Sequence, residues 1–144
     1  MSAFKCAFIK AQWHSEIVDN ALVGFTQVID QKSIDVLTVP GALELPLIAR
    51  DLAKTGNYDA VVAAAFVVDG GIYRHEFVAQ AVVSGLVQVG LETDVPIFSV
   101  SLTPHQYQET DHHNEIFREH FIKKGSEAAN AVNQIIELRR KIKS

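Results

Sequence analysis

A chain of 144 residues, 48% of them hydrophobic, is the size of one domain and carries enough apolar material for a core without disulfides or a structural metal. A net charge of −4 and a pI near 5.8 exclude a surface built to neutralise nucleic-acid phosphates, which needs a clustered Lys/Arg excess. With no apolar stretch long enough to span a membrane and no basic-then-apolar leader, a single domain over residues 1–144 in the cytoplasm is expected.

The first strand is expected at Lys5–Lys10. Cys6 falls inside it and reads as a small core residue rather than a nucleophile. Ser15-Glu16 then opens a helix whose apolar positions Ile17, Val18, Ala21, Leu22 and Phe25 recur at helical spacing. A second strand, Ile34–Val39, stops at Pro40-Gly41. The helix marked by Leu45, Ile48, Ala49 and Leu52 tolerates Pro46 in its first turn and ends at Gly56. Residues Ala60–Val68 form an uninterrupted apolar run, the pattern of a central strand covered on both faces, and Asp69-Gly70-Gly71 ends it.

A third helix is expected from His75 to about Thr93, with Phe77, Val78, Ala81, Val82, Leu86 and Val89 on its inner face. The fourth strand is expected at Pro96–Leu102. A polar, His-rich loop, Thr103–Asn114, follows it, and loops of that length after a parallel strand usually carry function. Helical character resumes at Glu115 and again from Gly125 to the end. Ala128, Ala129, Val132, Ile135, Ile136 and Leu138 make this last helix apolar beyond one stripe, which predicts a contact with a neighbouring subunit. The basic run Arg139–Lys143 complements the dipole of its last turn. The alternation β-α-β-α-β-α-β-α predicts a three-layer α/β/α sandwich around a four-stranded parallel sheet.

In open parallel sheets ligands bind beyond the carboxyl ends of the strands. The segments there are Ala11–His14, Pro40–Glu44, Asp69–His75, and Thr103-Pro104-His105 with the loop beyond. Together they hold the only Trp and five of the six His residues. Trp13 at this rim either covers a planar ligand or caps the core. Glu44, beside Gly41-Ala42, either accepts hydrogen bonds from a ligand or is an ordinary carboxylate at a helix start. Gly70-Gly71 ahead of a helix is an anion cradle without the residues of a Walker loop or a dinucleotide fingerprint. Arg74 and His75 just beyond it either offer a fixed charge and a titratable base or belong to a solvated helix start. His105, His112, His113 and His120 match no zinc spacing, so phosphate contact or plain exposure is the reading for them and no metal is expected. Lys124, before Gly125 at an expected helix start, is an anion partner or a solvated lysine.

Trp13, the segment Val39-Pro40-Gly41-Ala42-Leu43-Glu44-Leu45-Pro46, the turn Val68-Asp69-Gly70-Gly71 and Lys124-Gly125-Ser126-Glu127-Ala128-Ala129 resemble lumazine synthase over nearly the whole chain. The resemblance implies a flavodoxin-like fold. It also implies condensation of 5-amino-6-(D-ribitylamino)uracil with 3,4-dihydroxy-2-butanone 4-phosphate, releasing phosphate and water, in riboflavin biosynthesis, with no cofactor. It implies that Trp13 stacks on the pyrimidine and that Ala42, Leu43 and Glu44 hold ring and ribityl chain. Phe66, Val67 and Val68 would add backbone hydrogen bonds, and Gly71-Ile72 would cradle the phosphate.

The chain departs from the family pattern at three places. Arg74 stands where the family usually has its proton-relay histidine, with His75 one residue later, and an always-protonated guanidinium is a poor base. Ser99 stands where an aromatic ring contact is usual. The phosphate-binding arginine has no direct counterpart, and His113 or Lys124 is expected to meet that phosphate. These departures resemble a divergent second bacterial type that forms decamers of two pentamers, so a homopentamer or decamer with sites completed by a neighbouring protomer is implied. A non-catalytic flavin- or lumazine-binding protein on the same scaffold is the alternative.

Overall fold

The computed structural model describes residues 4–67, 75–102 and 111–144, and their side chains apart from those of 75–76, 101–102 and 111–114. Four strands, β1 Cys6–Ala11, β2 Ile34–Val39, β3 Ala60–Phe66 and β4 Ile97–Leu102, alternate with helices α1 Ser15–Thr26, α2 Leu45–Lys54, α3 His75–Thr93 and α4 Asp111–Lys143. The strands form one parallel sheet in the order β2-β1-β3-β4. The α/β architecture expected from the alternation is thus present, with strand ends shifted by one or two residues: β1 extends to Ala11 and β3 stops at Phe66.

Side-chain alternation divides the core into two layers. Cys6 and Phe8 of β1 and Ala60, Val62, Ala64 and Phe66 of β3 face α1 and α4, where Ile17, Phe25, Phe121 and Val132 are buried. Ala7, Ile9, Val61, Ala63 and Ala65 face α2 and α3, meeting Leu45, Ala49, Val82, Leu86 and Val89. β3 is buried along its whole length, as an apolar run covered on both faces requires. Cys6 is fully buried, and loss of water around it, aided by the charge of Asp59, pushes its thiol up to about 12. Because α1 crosses one face and α2 and α3 the other, the direction of the connections reverses between β1 and β3. That reversal opens a crevice at the carboxyl ends of these two strands.

Three expectations are corrected. Helical character does not restart at Gly125: α4 is continuous from Asp111 to Lys143, so four residues of the expected loop, 111–114, also belong to it. Gly125 is there for packing. A Cβ on it would stand 1.9 Å from the carbonyl oxygen of Ala21, and one on Gly24 would stand 1.8 Å from that of Ile122. The two glycines let α1 and α4 touch backbone to backbone, a tertiary requirement that looks like a helix boundary in one dimension. The third correction concerns α3. Phe77 is 61% exposed and Ala81 is also exposed, so neither belongs to the inner face. Apolar residues also sit on the outer side of α3, where Val83, Val87 and Leu91 join Phe77 beside the exposed polar row Gln80, Ser84, Gln88 and Glu92, and this second apolar strip blurs the buried stripe in the periodicity. On α4, Ala129, Val132 and Ile136 are buried while Leu138 and Ile142 are exposed. Among the described residues no helix is long and apolar enough to cross a membrane.

Candidate active site

The register brings the strand ends to one rim: Ala11 lies beside Val39, and Phe66 beside Leu102. After β1 the chain turns through Gln12, Trp13 and His14. The Gln12 N–H donates to the Val39 carbonyl at 2.8 Å, and the Ser15 N–H donates back to the Gln12 carbonyl at 3.1 Å. His14 adopts the left-handed region, φ 57° and ψ 39°, and its carbonyl accepts the first helical hydrogen bonds of α1 from Ile17 and Val18. Trp13, at the tip of this turn, is 69% exposed. Leaving that much indole in water is unfavourable, so a ligand or partner is its natural cover.

Beyond β2, Gly41 is extended, and Ala42–Glu44 form a single 3-10 turn leading into α2. Pro46 sits in the first turn of α2, where its missing N–H leaves nothing unmade. Glu44 is exposed, and its carboxylate makes no capping hydrogen bond to α2. Its Oε1 lies 3.3 Å from where a Gly41 Cβ would stand, so glycine leaves this acceptor uncrowded. No capping hydrogen bond occupies the Glu44 carboxylate, which stands exposed at the start of α2. Leu43, 51% exposed, and the half-buried Ala42 flank it.

At the end of β3, Phe66 and Val67 are buried. Phe66 is the hub of the rim. The His14 ring meets it edge-on at 5.4 Å and 87°, Phe117 lies tilted against it at 5.2 Å, and Phe121 meets it at 5.9 Å. The turns that carry Trp13 and Glu44 thus leave their strands at the same rim as the end of β3, beside the switch point.

At the amino ends of the strands, hydrogen bonds from Tyr58 and Lys5 hold the Asp35 carboxyl below its usual range. Lys143, then Arg139, does the same for Asp94. A cavity of about 390 Å³ opens there, lined by Tyr58, Asp94, Arg139 and Lys143 among others, but its ion pairs satisfy one another and brace the end of α4.

Residues 3–140 match the family model for 6,7-dimethyl-8-ribityllumazine synthase. The chain belongs to this family. The 6,7-dimethyl-8-ribityllumazine synthase of Rhodococcus erythropolis is 55% identical over 138 residues, covering 92% of this chain and 89% of its own. Proteins named 6,7-dimethyl-8-ribityllumazine synthase 2 follow. That of Pseudomonas syringae pv. tomato is 51% identical over 145 residues, covering 94% of this chain and 85% of its own. That of Bradyrhizobium diazoefficiens is 48% identical over 140 residues, with the same coverage.

Of the candidate residues, Trp13, Ala42, Leu43, Glu44, Phe66 and Val67 gather at the rim of this lumazine synthase chain. Ser99 does not. It is an exposed residue within β4, beside Ala63 and three residues short of the strand's end. Lys124 lies inside α4, three residues past Phe121, and pairs with Glu127 at 3.3 Å rather than opening a helix. The backbones of His75 and His113 belong to α3 and α4. Val68, Gly70, Gly71, Ile72, Arg74 and His105 lie outside the described residues. Sequence reasoning does not single out His14 or Phe117. His14 is there only as one of the five rim histidines, with no role of its own.

Proposed function

We propose that the chain is a 6,7-dimethyl-8-ribityllumazine synthase, condensing 5-amino-6-(D-ribitylamino)uracil with 3,4-dihydroxy-2-butanone 4-phosphate and releasing phosphate and water. The observation that carries this reading is the family match over residues 3–140, joined to a rim that presents an exposed indole and an uncapped carboxylate at the switch point. Trp13 stacks on the pyrimidine, Glu44 accepts from ring N–H or ribityl hydroxyls, and Ala42, Leu43 and the backbone of Phe66, Val67 and Val68 complete the pocket. Gly71-Ile72 cradle the phosphate at the start of α3, with His113 or Lys124 as its cationic partner.

The 5-amino group attacks the ketone, an imine forms with loss of water, phosphate is eliminated, and ring closure with dehydration gives the lumazine. The first, bimolecular step needs the two reactants held together more than it needs a strong base. Such orientation lowers barriers by about 7–11 kcal/mol in favourable cases. Proton transfer falls to Arg74 as a fixed donor or to His75 as a relay.

The enzyme works as a homo-oligomer, a pentamer or a decamer of two pentamers. Phe77, Val83, Val87 and Leu91 give α3 an apolar outer face suited to subunit contact. Ser99, on the edge strand β4, then serves a neighbouring protomer's site. A cytoplasmic location fits the buried free thiol of Cys6.

Incubation with both substrates tests the function. Lumazine absorbance and fluorescence should rise with release of one phosphate per product. Ligand binding without phosphate release would identify a flavin- or lumazine-binding protein instead.

A further inference from the structure

Trp13 cannot hold its own place. With the indole 69% exposed, packing supplies little of its orientation, so the backbone on either side must supply the rest. On the amino side the restraint is the Gln12 N–H bond to Val39. On the carboxyl side it is His14, and two features of that residue act together. Its backbone lies at φ 57°, a region that residues with a Cβ seldom adopt and that His, Asn and Asp tolerate better than most. Its ring rests edge-on against Phe66, 5.4 Å between centroids, in the geometry that aromatic pairs favour.

The second contact crosses the fold. Phe66 closes β3, and the Gln12–His14 turn leaves β1, so the His14 ring ties together the two strands that flank the switch point. Phe66 is itself fixed, 3% exposed and held by Phe117 and Phe121 from α4. A left-handed residue persists where its surroundings over-determine it, and such residues cluster at ligand clamps. Here the surroundings are a rigid ring on one side and the first turn of α1 on the other.

We propose that His14 is a positioning residue: its left-handed backbone and its ring contact with Phe66 together aim Trp13 across the crevice between β1 and β3. The inference rests on the reading that Trp13 stacks on the pyrimidine. His14 does not touch the reacting atoms. It sets how much of the indole's freedom is already lost before substrate arrives, and a pre-ordered stacking surface binds more tightly than one that must be ordered on binding.

Two variants separate the features. His14→Asn removes the ring and keeps a residue suited to the left-handed region, whereas His14→Gly removes the ring and frees the backbone. Because Trp13 is the only tryptophan, its fluorescence anisotropy reports its own mobility. Anisotropy should fall in His14→Asn and fall further in His14→Gly, with far-UV circular dichroism and assembly size unchanged. The KM for the aminouracil should rise about two- to tenfold, the range an edge-to-face ring contact carries, while kcat changes less than twofold. Wild-type anisotropy and KM in both variants would overturn the proposal, as would a loss confined to kcat. If His14→Gly does not fold, His14→Asn alone decides by the same readouts. Trp13→Ala keeps the two readings apart: an unchanged KM there removes the stacking role, while anisotropy in the His14 variants still decides whether His14 aims the indole.

Discussion

Gly125→Ala sets two opposed effects against each other in the middle of α4. Helix propensity favours alanine over glycine by about 0.8–1.0 kcal/mol. Against it, the new Cβ would stand 1.9 Å from the Ala21 carbonyl oxygen, 2.7 Å from its carbon and 3.0 Å from its Cα, all backbone atoms that no rotamer change can move. Ordinary contact begins at 3.4 Å, so α1 and α4 must part by about 1.5 Å, the difference between 3.4 and 1.9 Å. A radial gap of about 0.5–1 Å already forfeits a quarter to a half of each van der Waals contact it opens, and the layer affected includes Ile17, Phe25, Phe121 and Val132. Overpacking of this kind costs about 1–3 kcal/mol, and with every clashing atom on the backbone the upper end applies, so after the propensity gain a net loss of about 2 kcal/mol is expected.

Gly90→Ala in α3 is the control, because a Cβ there meets its nearest neighbours at 3.4 Å and should be neutral or stabilising by up to about 1 kcal/mol. Urea unfolding followed by far-UV circular dichroism at one protein concentration compares the two. If Gly125→Ala matches or exceeds the wild type, the backbone-to-backbone contact of α1 with α4 is wrong.

Asp94→Asn keeps a residue that tolerates the left-handed backbone at φ 60° and removes the charge paired with Lys143 and Arg139. Because the folded-state pKa of Asp94 is lowered, its contribution is present above the ordinary carboxylate pKa and lost as pH falls below it. The gap in urea midpoint between wild type and variant should be open at pH 7 and close below about pH 4. A gap that persists in acid would show that the ion pairs do not stabilise the end of α4. Native protein at pH 8 should leave Cys6 unreactive toward Ellman's reagent, with one thiol per chain released only in denaturant, since burial pushes the thiol up to about 12. Rapid reaction of folded protein would place Cys6 outside the core. Arg74→Ala should damage turnover more than His75→Ala, and the rate should lack an enzyme-derived limb near neutral pH. An inactive, correctly assembled His75→Ala enzyme beside an active Arg74→Ala enzyme, with a limb near an imidazole pKa of about 6.5, would give the relay to His75.

How much of this molecule was legible in one dimension depended on whether a pattern was local. The bounds of α3, the run of β3 and the turn at Pro40-Gly41 follow from composition over a few residues, and all lie where expected to within a residue or two. Gly125 misled because the reason for it is Ala21, roughly a hundred residues earlier in the chain. Phe77 and Ala81 misled because α3 carries apolar residues on its outer side as well as its inner one, so residue type alone does not mark the buried face. At the site, Trp13 and Glu44 were visible as an aromatic and a carboxylate just past strand ends. His14 was visible only as one of five rim histidines, because its contact with Phe66 is made across the fold from residues far apart in the chain.

The placement of the site at the β1/β3 crevice is tested most directly by titrating the wild-type protein with a non-reacting ribityl-pyrimidine while following the emission of Trp13. Stacking on the pyrimidine predicts saturable change in that emission at one site per chain, competed away by the aminouracil substrate. Emission that stays constant at ligand concentrations that inhibit turnover would put the pyrimidine somewhere other than on Trp13.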